Sequence, residues 1–204
     1  MGDGDDVQGG YSCDDWERHY DADDLRWDIG EVAPPFVRLW EERKVFPCKA
    51  IIPGCGRGHE AIFLAERGFQ ITAVDYTRGA VDLLDNALTT MTLPGDVVHH
   101  NFFELGQEFN NSFGLMLEHT FFCAINPDMR QKYVETAGRI LISGALLIGL
   151  FYETGEKGGP PFNTGKKDIE EYFSEQFEIE VLAKTSHSAE QRKGKEWLAI
   201  LKRK

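Results

Sequence analysis

The residues of this chain best suited to bind a small ligand are a glycine-rich turn and a single acid that follows it. The turn, GCGRG at 54–58, comes after the apolar run 50–52, and Asp75 closes a second apolar run, 71–74. Gly56 and Asp75 are 19 positions apart, close to the spacing of about 20 at which an acid binds ribose hydroxyls. A carboxylate only accepts hydrogen bonds, and it can accept from both ribose hydroxyls. The pattern predicts a βαβ unit with a nucleoside pocket at the carboxyl ends of its strands.

The sequence of the turn narrows the choice of nucleoside. It reads GxGxG rather than the GxGxxG of dinucleotide-binding proteins, and no GxxxxGK[ST] places a lysine on a triphosphate. Glycines allow the backbone to approach a ligand closely. These observations favour an adenosine without phosphates. We therefore expect S-adenosylmethionine as the cofactor and S-adenosylhomocysteine as its product.

Three aromatic residues, Trp16, Tyr20 and Trp27, precede the turn. Trp16 and Tyr20 are four residues apart, so they share one face of a helix. One interpretation, which the residues alone favour, is a hydrophobic lid packed on the core. The other is an aromatic wall for a cationic ligand, because a cation over an aromatic ring gains about 0.5–2 kcal/mol.

Polar residues also follow the third and fourth predicted strands. Asn101 and Phe102 come after the third strand, where the amide either bonds the edge of an adenine with Phe102 packed on the ring, or shapes a turn. Glu118 and His119 come directly after the fourth strand.

Candidate general bases are His119, Glu153 and His59, none of which belongs to a recognisable pair or triad. An ordinary polar role is an equal alternative for each. Arg192 and two neighbouring lysines lie on a loop that faces the strand ends. They either attract an anionic acceptor or form a solvated basic turn. No HExxH, CxxC or carboxylate cluster indicates a metal, so we expect no metal site.

Hydrophobic periodicity predicts seven strands and five interleaved helices after the aromatic segment. The strands cover 50–52, 71–74, 97–98, 113–117, 144–152, 177–184 and 196–201, and the helices cover 36–44, 61–65, 80–88, 127–139 and 168–174. Thr77 is expected to cap the helix that follows it, and Gly68 to end the helix before it. Together these elements predict one doubly wound, mostly parallel α/β sheet whose last strand is an antiparallel insert.

Length and composition favour a single globular domain. The chain has 204 residues, 42% hydrophobic and 27% charged, and we expect one domain over residues 11–204 after a disordered acidic tail, residues 1–10. The net charge of −12 argues against nucleic acid and anionic membranes as partners. Four cysteines without a CxxC pair indicate reduced thiols in a cytoplasmic protein. We expect a small-molecule partner and a monomer or weak dimer.

Several short motifs, taken together and in order, resemble the thiopurine S-methyltransferase-like methyltransferases, a family that includes thiol and halide methyltransferases. Besides Trp16 and Tyr20, they are RWDIG at 26–30, PGCGRGHE at 53–60, VDYTRGAV at 74–81, NFFEL at 101–105, FFCAINPDMR at 121–130, GGPPF at 158–162 and RKGKEW at 192–197.

The resemblance implies a Rossmann-like class I methyltransferase with an N-terminal aromatic helical lid. Its implied activity is transfer of methyl from S-adenosylmethionine to a small soft nucleophile, in first place a thiol sulfur (thiol, thiopurine or sulfide), with halides and selenium or tellurium species as further acceptors. The implied cofactor site comprises Trp16, Tyr20, Trp27, Gly54, Gly56, Asp75, Tyr76, Asn101, Phe102, Glu118 and His119. The implied acceptor site lies around Phe36, Phe121, Phe162 and Arg192.

Three positions bear on the substrate. The family often has an acid where Asn101 stands and an aromatic hydroxyl where His119 stands. Phe162 matches thiopurine-type members, whereas halide and thiol members can carry a tyrosine there. The identity of the methyl acceptor therefore stays open. The alternatives are an O- or N-methyltransferase of the same fold, a metalloid methyltransferase, and a non-catalytic relative that binds the cofactor or a protein partner.

Overall fold

The computed structural model describes residues 10–204, and within that range the chain forms one seven-stranded sheet. The strands are β1 (Lys49–Pro53), β2 (Gln70–Asp75), β3 (Asp96–His99), β4 (Phe113–His119), β5 (Leu141–Tyr152), β6 (Phe177–Lys184) and β7 (Glu196–Arg203). Their order is β3-β2-β1-β4-β5-β7-β6. Strands β1 to β5 pair in parallel, and β7 pairs antiparallel with both β5 and β6. The predicted mostly parallel sheet with an antiparallel insert is confirmed.

Helices cover both faces of this sheet. They are α1 (Cys13–Asp21), α2 (Pro34–Glu42), α3 (His59–Ala65), α4 (Arg78–Met91), α5 (Arg130–Ile140) and α6 (Lys166–Phe173). One apolar cluster joins α2, α3 and α4 to one face, and a second joins α5 and α6 to the other. Within β1, Ala50 and Ile52 belong to the first cluster and Ile51 to the second, as the alternation of side chains along a strand requires. The predicted doubly wound architecture is confirmed.

The ends of several elements differ from the prediction, for reasons that lie in local hydrogen bonds. Strand β4 continues to His119, so Glu118 is a strand residue. Helix α6 begins at Lys166 because Asp168, in its first turn, accepts from the backbone N–H of Gly165 (2.7 Å). The predicted helix 127–139 divides into a 3₁₀ turn at 127–129 and α5. Gly68 adopts the left-handed conformation expected after α3 (φ +81°).

Thr77 does not cap α4 with its side chain, contrary to expectation. Its hydroxyl donates to Asp75 Oδ1 (2.7 Å). The cap comes instead from Glu17 on α1, whose carboxylate accepts from the backbone N–H groups of Arg78 and Gly79. A negative charge is favourable at the N-terminus of a helix. This contact attaches the N-terminal segment, residues 11–30, to the sheet domain.

The predicted disordered tail falls on residues 1–9, which lie outside the described residues, and on Gly10. A Cβ placed on Gly10 would lie 3.4 Å from the backbone nitrogen of Asn126. None of the helices within residues 10–204 combines the length and the apolar character that a membrane crossing requires.

Candidate active site

A cavity of about 920 Å³ opens at the carboxyl ends of β1, β2 and β4, beneath the N-terminal segment. This volume lies within the range of small-molecule and cofactor sites, about 300–1,000 Å³. Most of the predicted site residues line it: Trp16, Tyr20, Trp27, Gly54, Gly56, Asp75, Tyr76, Asn101, Phe102, His119, Phe121 and Arg192. Parallel strands bring these residues together because their carboxyl ends share one edge of the sheet.

The glycine turn forms the floor of the cavity. Gly54 and Gly56 have left-handed backbones, with φ of +56° and +54°, which glycine adopts at least cost. A Cβ on Gly54 would lie 2.6 Å from the ring of Phe121, so a larger residue would collide with it. A Cβ on Gly56 would instead meet the Tyr20 hydroxyl at 3.4 Å. The turn therefore brings bare backbone to the cavity.

Asp75 connects the second strand to this turn. Its Oδ2 accepts from the backbone N–H of Gly56 (3.1 Å), and its Oδ1 accepts from the backbone N–H of Thr77 (3.0 Å) and from the Thr77 hydroxyl. The residue is 8% exposed, and burial raises the pKa of its carboxyl despite these donors. A carboxylate offers about four acceptor positions. Acceptor capacity therefore remains for a ligand.

Aromatic rings of the N-terminal segment cover the other side of the cavity. The rings of Trp16 and Trp27 meet edge to face, with centroids 5.0 Å apart, and Tyr20 lies 5.9 Å from Trp27. The expected aromatic helix is present as α1. Burial raises the pKa of Tyr20, so its hydroxyl remains protonated. Because these rings line the cavity rather than fill the core, their geometry favours the aromatic-wall interpretation.

Ion pairs fasten the end of this segment to the glycine turn and to α3. Arg57 donates to Asp23 (2.6 Å) and lies 3.1 Å from Asp28. His59 Nε2 lies 2.9 Å from Asp28 Oδ1. His59 thus binds the N-terminal segment to α3 through its contact with Asp28.

The His59–Asp28 pair gives this attachment a predicted pH dependence. Its hydrogen bond to Asp28 raises the pKa of His59, outweighing the effect of burial. A histidine whose pKa is raised on folding contributes stability that is complete below its unfolded value, about 6.5, and is lost as pH rises through the raised value. We expect the protection of backbone amides in residues 24–30 against hydrogen exchange to decrease as pH rises through this range. In the Asp28→Asn variant, this decrease should be absent. Hydrogen-exchange mass spectrometry, corrected for intrinsic exchange rates, measures this protection. The same dependence of protection on pH in wild type and Asp28→Asn would contradict the role assigned to the His59–Asp28 pair.

Asn101 has the structural role that the sequence left open. Its Oδ1 accepts from the backbone N–H of Phe103 (3.0 Å), which caps a 3₁₀ turn, and its Nδ2 donates to Glu104 (3.3 Å). Phe102 is 3% exposed and also reaches the cavity. Both residues therefore border the cavity, and a role in binding adenine remains a prediction.

A buried polar network, formed by Glu60, His119, Arg192 and Glu196, closes one side of the cavity. His119 Nδ1 lies 2.9 Å from Glu60 Oε1. Arg192 Nη1 lies 2.8 Å from His119 Nε2 and 3.4 Å from Glu196 Oε1, and its Nη2 donates to the backbone carbonyl of Trp27. Arg192 is 7% exposed. The alternative of a solvated basic turn is therefore wrong for Arg192.

Two predicted acids face away from the cavity and require correction. Glu118 is fully buried; its Oε1 accepts from the backbone N–H groups of Phe121 and Phe122 (both 2.9 Å), and its Oε2 from the Tyr133 hydroxyl (2.5 Å). It shapes the loop after β4 instead of covering a cofactor. Glu153 pairs with Lys184 (2.5 Å), which lowers the pKa of Glu153 and makes it a poor base.

Two predicted acceptor-site aromatics also lie outside the cavity lining. Phe36 is fully buried and packs edge to face on the His119 ring at 5.9 Å, so it supports that imidazole from behind. Phe162 is 6% exposed, and its backbone N–H donates to the carbonyl of Cys123 (2.6 Å). The residues beside it, Pro160 and Pro161, line the cavity in its place.

Sequence reasoning assigned no role to several residues that line the cavity, among them Glu60, Tyr152 and Cys123. Glu60 had a detectable signal, since it is a charged residue at the start of an otherwise apolar helix. Burial raises the pKa of Cys123 to about 12, so it stays a neutral thiol. Among the described residues, no three His, Cys, Asp or Glu side chains are grouped so as to hold a metal ion.

Comparisons with known proteins agree on one family. A family model for thiopurine S-methyltransferase matches residues 11–203. A probable thiol methyltransferase 2 from Arabidopsis thaliana is 27% identical, over 76% of this chain and 69% of its own. A thiopurine S-methyltransferase from Shewanella putrefaciens is also 27% identical, over 82% of this chain and 84% of its own.

A solved structure shares the fold. It is the 1,6-didemethyltoxoflavin-N1-methyltransferase of Burkholderia thailandensis, with bound 1,6-didemethyltoxoflavin and S-adenosylhomocysteine. The TM-score is 0.76 at 14% identity, over 94% of this chain and 86% of that one. The expected class I methyltransferase fold is thereby confirmed. With the family model covering nearly all of the described residues, the chain belongs to the thiopurine S-methyltransferase family and is an S-adenosylmethionine-dependent methyltransferase.

Proposed function

We propose that this enzyme methylates the sulfur of a small thiol-type acceptor. The observation that carries the proposal is the cavity in which the Asp75 carboxylate meets the Gly56 backbone beneath Trp16 and Trp27. The names of two relatives, a thiol and a thiopurine methyltransferase, support sulfur as the methylated atom.

The residues of the cavity fit S-adenosylmethionine. Gly54 and Gly56 present backbone without side chains to the cavity, and Asp75 keeps acceptor capacity beside the Gly56 N–H. We assign Asp75 to the ribose, the glycine turn to the methionine portion, and Phe102 to the adenine. Trp16, Tyr20 and Trp27 would cover the sulfonium end, since aromatic faces attract cations.

The acceptor end of the cavity suits a soft nucleophile. When bound, S-adenosylmethionine supplies an electrophilic methyl group on a positive sulfonium, a charge that transfer to a thiolate consumes. Phe121, Tyr152, Pro160 and Pro161 line the cavity and would give this end a largely apolar surface, which limits the access of water. A dry site favours a reaction that destroys charge, and alignment supplies much of the acceleration.

We further propose a cytoplasmic enzyme that acts on a small molecule as a monomer or weak dimer. All four cysteines are unpaired, which supports a reducing compartment. The exposed large apolar side chains (Phe46, Leu83, Met91 and Ile142) come from several separate elements, which supports a weakly associating surface. The net charge of −12 supports a partner other than nucleic acid.

A panel of acceptors with a labelled methyl donor tests the proposed function. The panel contains aliphatic thiols, thiophenol, sulfide, a selenol, iodide and phenol. We expect kcat/KM for the best thiol to exceed that for phenol by at least about 100-fold, since a phenol has the higher pKa and needs a strong base. A preference for phenol over every thiol, or the absence of turnover with the whole panel, would refute the proposal.

A further inference from the structure

The bond between Glu60 and His119 is a buried carboxylate–imidazole pair inside the cavity. The two side chains are 9% and 10% exposed, and Glu60 Oε1 also accepts from the backbone N–H of Ala33 (3.1 Å). Burial raises the pKa of Glu60, but the hydrogen bonds and charge of its partners outweigh that effect and lower it overall. Glu60 is therefore an ionised acceptor at neutral pH.

The hydrogen bonds define which nitrogen of His119 carries the proton. A guanidinium only donates, so His119 Nε2, 2.8 Å from Arg192 Nη1, must present a lone pair. The proton then lies on Nδ1 and is donated to Glu60. An acid that holds Nδ1–H fixes the imidazole in the tautomer that accepts a proton at Nε2. Phe36 packs on the ring and restrains its orientation.

We propose that Glu60 and His119 form a proton-accepting pair that allows this enzyme to use un-ionised thiols, with His119 as the general base and Glu60 as its positioning residue. The inference rests on the proposed function and deepens it by naming the acceptor class. A thiol has a pKa near 8.5 and is only a few per cent ionised at pH 7. A halide needs no deprotonation. The pair therefore matters for thiols and not for anions.

The proton transfer is balanced by an exchange of partners. Arg192 first turns its N–H away from Nε2, which frees the single lone pair of that nitrogen, while Glu196 and the carbonyl of Trp27 continue to hold the guanidinium. The S–H bond of the acceptor then breaks, its proton passes to His119 Nε2, and the electron pair remains on sulfur as a thiolate that accepts the released Arg192 N–H. The imidazolium is stabilised by Glu60 and later returns its proton to water.

Charged groups face His119 from three elements. Glu60 approaches from α3, and Glu196 from β7, with its Oε1 4.0 Å from Nε2. Arg192 approaches from the 3₁₀ turn at 190–192. Glu118, the preceding residue of β4, is occupied by Tyr133 and two backbone N–H groups. Two carboxylates and one guanidinium therefore surround the imidazole.

The first test compares His119→Gln with wild type on 2-mercaptoethanol and on iodide between pH 6 and 9. We expect kcat/KM for the thiol to fall about 100-fold at neutral pH and to recover as pH rises, the usual scale of general-base catalysis. Iodide methylation is expected to change less than about threefold. Glu60→Gln keeps the size of the side chain and is expected to lose about tenfold on the thiol alone.

The second readout needs no turnover. In the complex with S-adenosylhomocysteine, bound thiophenol is titrated by the absorbance of its thiolate. We expect wild type to form the thiolate at least about one pH unit below His119→Gln, a tenfold difference in ionisation. His187→Gln, an exposed histidine outside the cavity, serves as control.

Distinct outcomes separate this inference from the proposed function. Three outcomes would overturn the proton-accepting pair alone. The first is an equal loss of kcat/KM on thiol and iodide in His119→Gln, and the second is a thiophenol titration that His119→Gln does not shift. The third is a thiol-specific loss in His59→Gln instead of His119→Gln. Wild-type enzyme that methylates iodide but no un-ionised thiol would also overturn it. An enzyme that methylates neither would overturn the proposed function itself.

Discussion

Asp75→Ala is expected to weaken the binding of S-adenosylhomocysteine about 100-fold. Hydrogen bonds to a charged group contribute about 1.5–3 kcal/mol each, and the substitution removes the acceptor that we assign to the ribose hydroxyls. It also frees the backbone N–H of Gly56, which Asp75 now holds at 3.1 Å. The shape of the glycine turn is then less well determined. Isothermal titration calorimetry measures the change directly.

Asp85→Ala is the matched control for this prediction. Asp85 is an exposed acid on α4, the helix that follows Asp75 in the chain. We expect its replacement to leave the affinity within about twofold, as surface substitutions usually change a free energy by less than about 0.5 kcal/mol. If the Asp75→Ala protein melts like wild type and binds with unchanged affinity, the ribose assignment is wrong.

Arg192→Leu is expected to destabilise the fold by about 3–5 kcal/mol, the cost of leaving one partner of a buried ion pair uncompensated. Glu196, which is 2% exposed, would lose the guanidinium 3.4 Å away. His119 Nε2 and the carbonyl of Trp27 would lose their donors as well. Because the last of these contacts reaches the N-terminal segment, that segment should also become less protected. Urea unfolding measures the change in free energy.

A second substitution and a neighbouring control make this prediction specific. The double variant Arg192→Leu/Glu196→Leu removes both charges and is expected to recover at least about half of the loss, since replacing a buried pair by apolar residues is often neutral. Lys193→Leu, which breaks an exposed pair with Glu190 on the same turn, should change stability by less than about 1 kcal/mol. Equal effects of Arg192→Leu and Lys193→Leu would contradict the burial of the network.

Local patterns predicted the architecture well. The apolar runs of β1 and β5 are typical of strands buried on both faces of a sheet, and β6 begins and ends at the predicted residues. The antiparallel placement of β7 was also predicted and is confirmed. The cavity could be located because glycine turn and acid belong to neighbouring parallel strands, whose carboxyl ends must meet at one edge.

Side-chain direction was less predictable, because it depends on partners distant in sequence. Glu118 and His119 are consecutive residues of β4 and so face opposite sides of the sheet, but their partners were not predicted: Glu118 bonds Tyr133 in the core, and His119 reaches the cavity. The partner of His119, Glu60, is 59 positions away, so no short motif could identify the pair. Thr77 has the residue type of a helix cap, but Glu17 supplies the cap from 61 positions away. Spacing identifies strand ends but not the distant partner that each side chain meets.

The most direct test of the account is a crystal structure of the enzyme with S-adenosylhomocysteine. We predict that the ribose hydroxyls lie within hydrogen-bond distance of the Asp75 carboxylate, with the homocysteine portion against Gly54 and Gly56 and the rings of Trp16 and Trp27 over the sulfur. A product molecule bound elsewhere, or a ribose held by other residues while Asp75 keeps only Gly56 and Thr77, would contradict it.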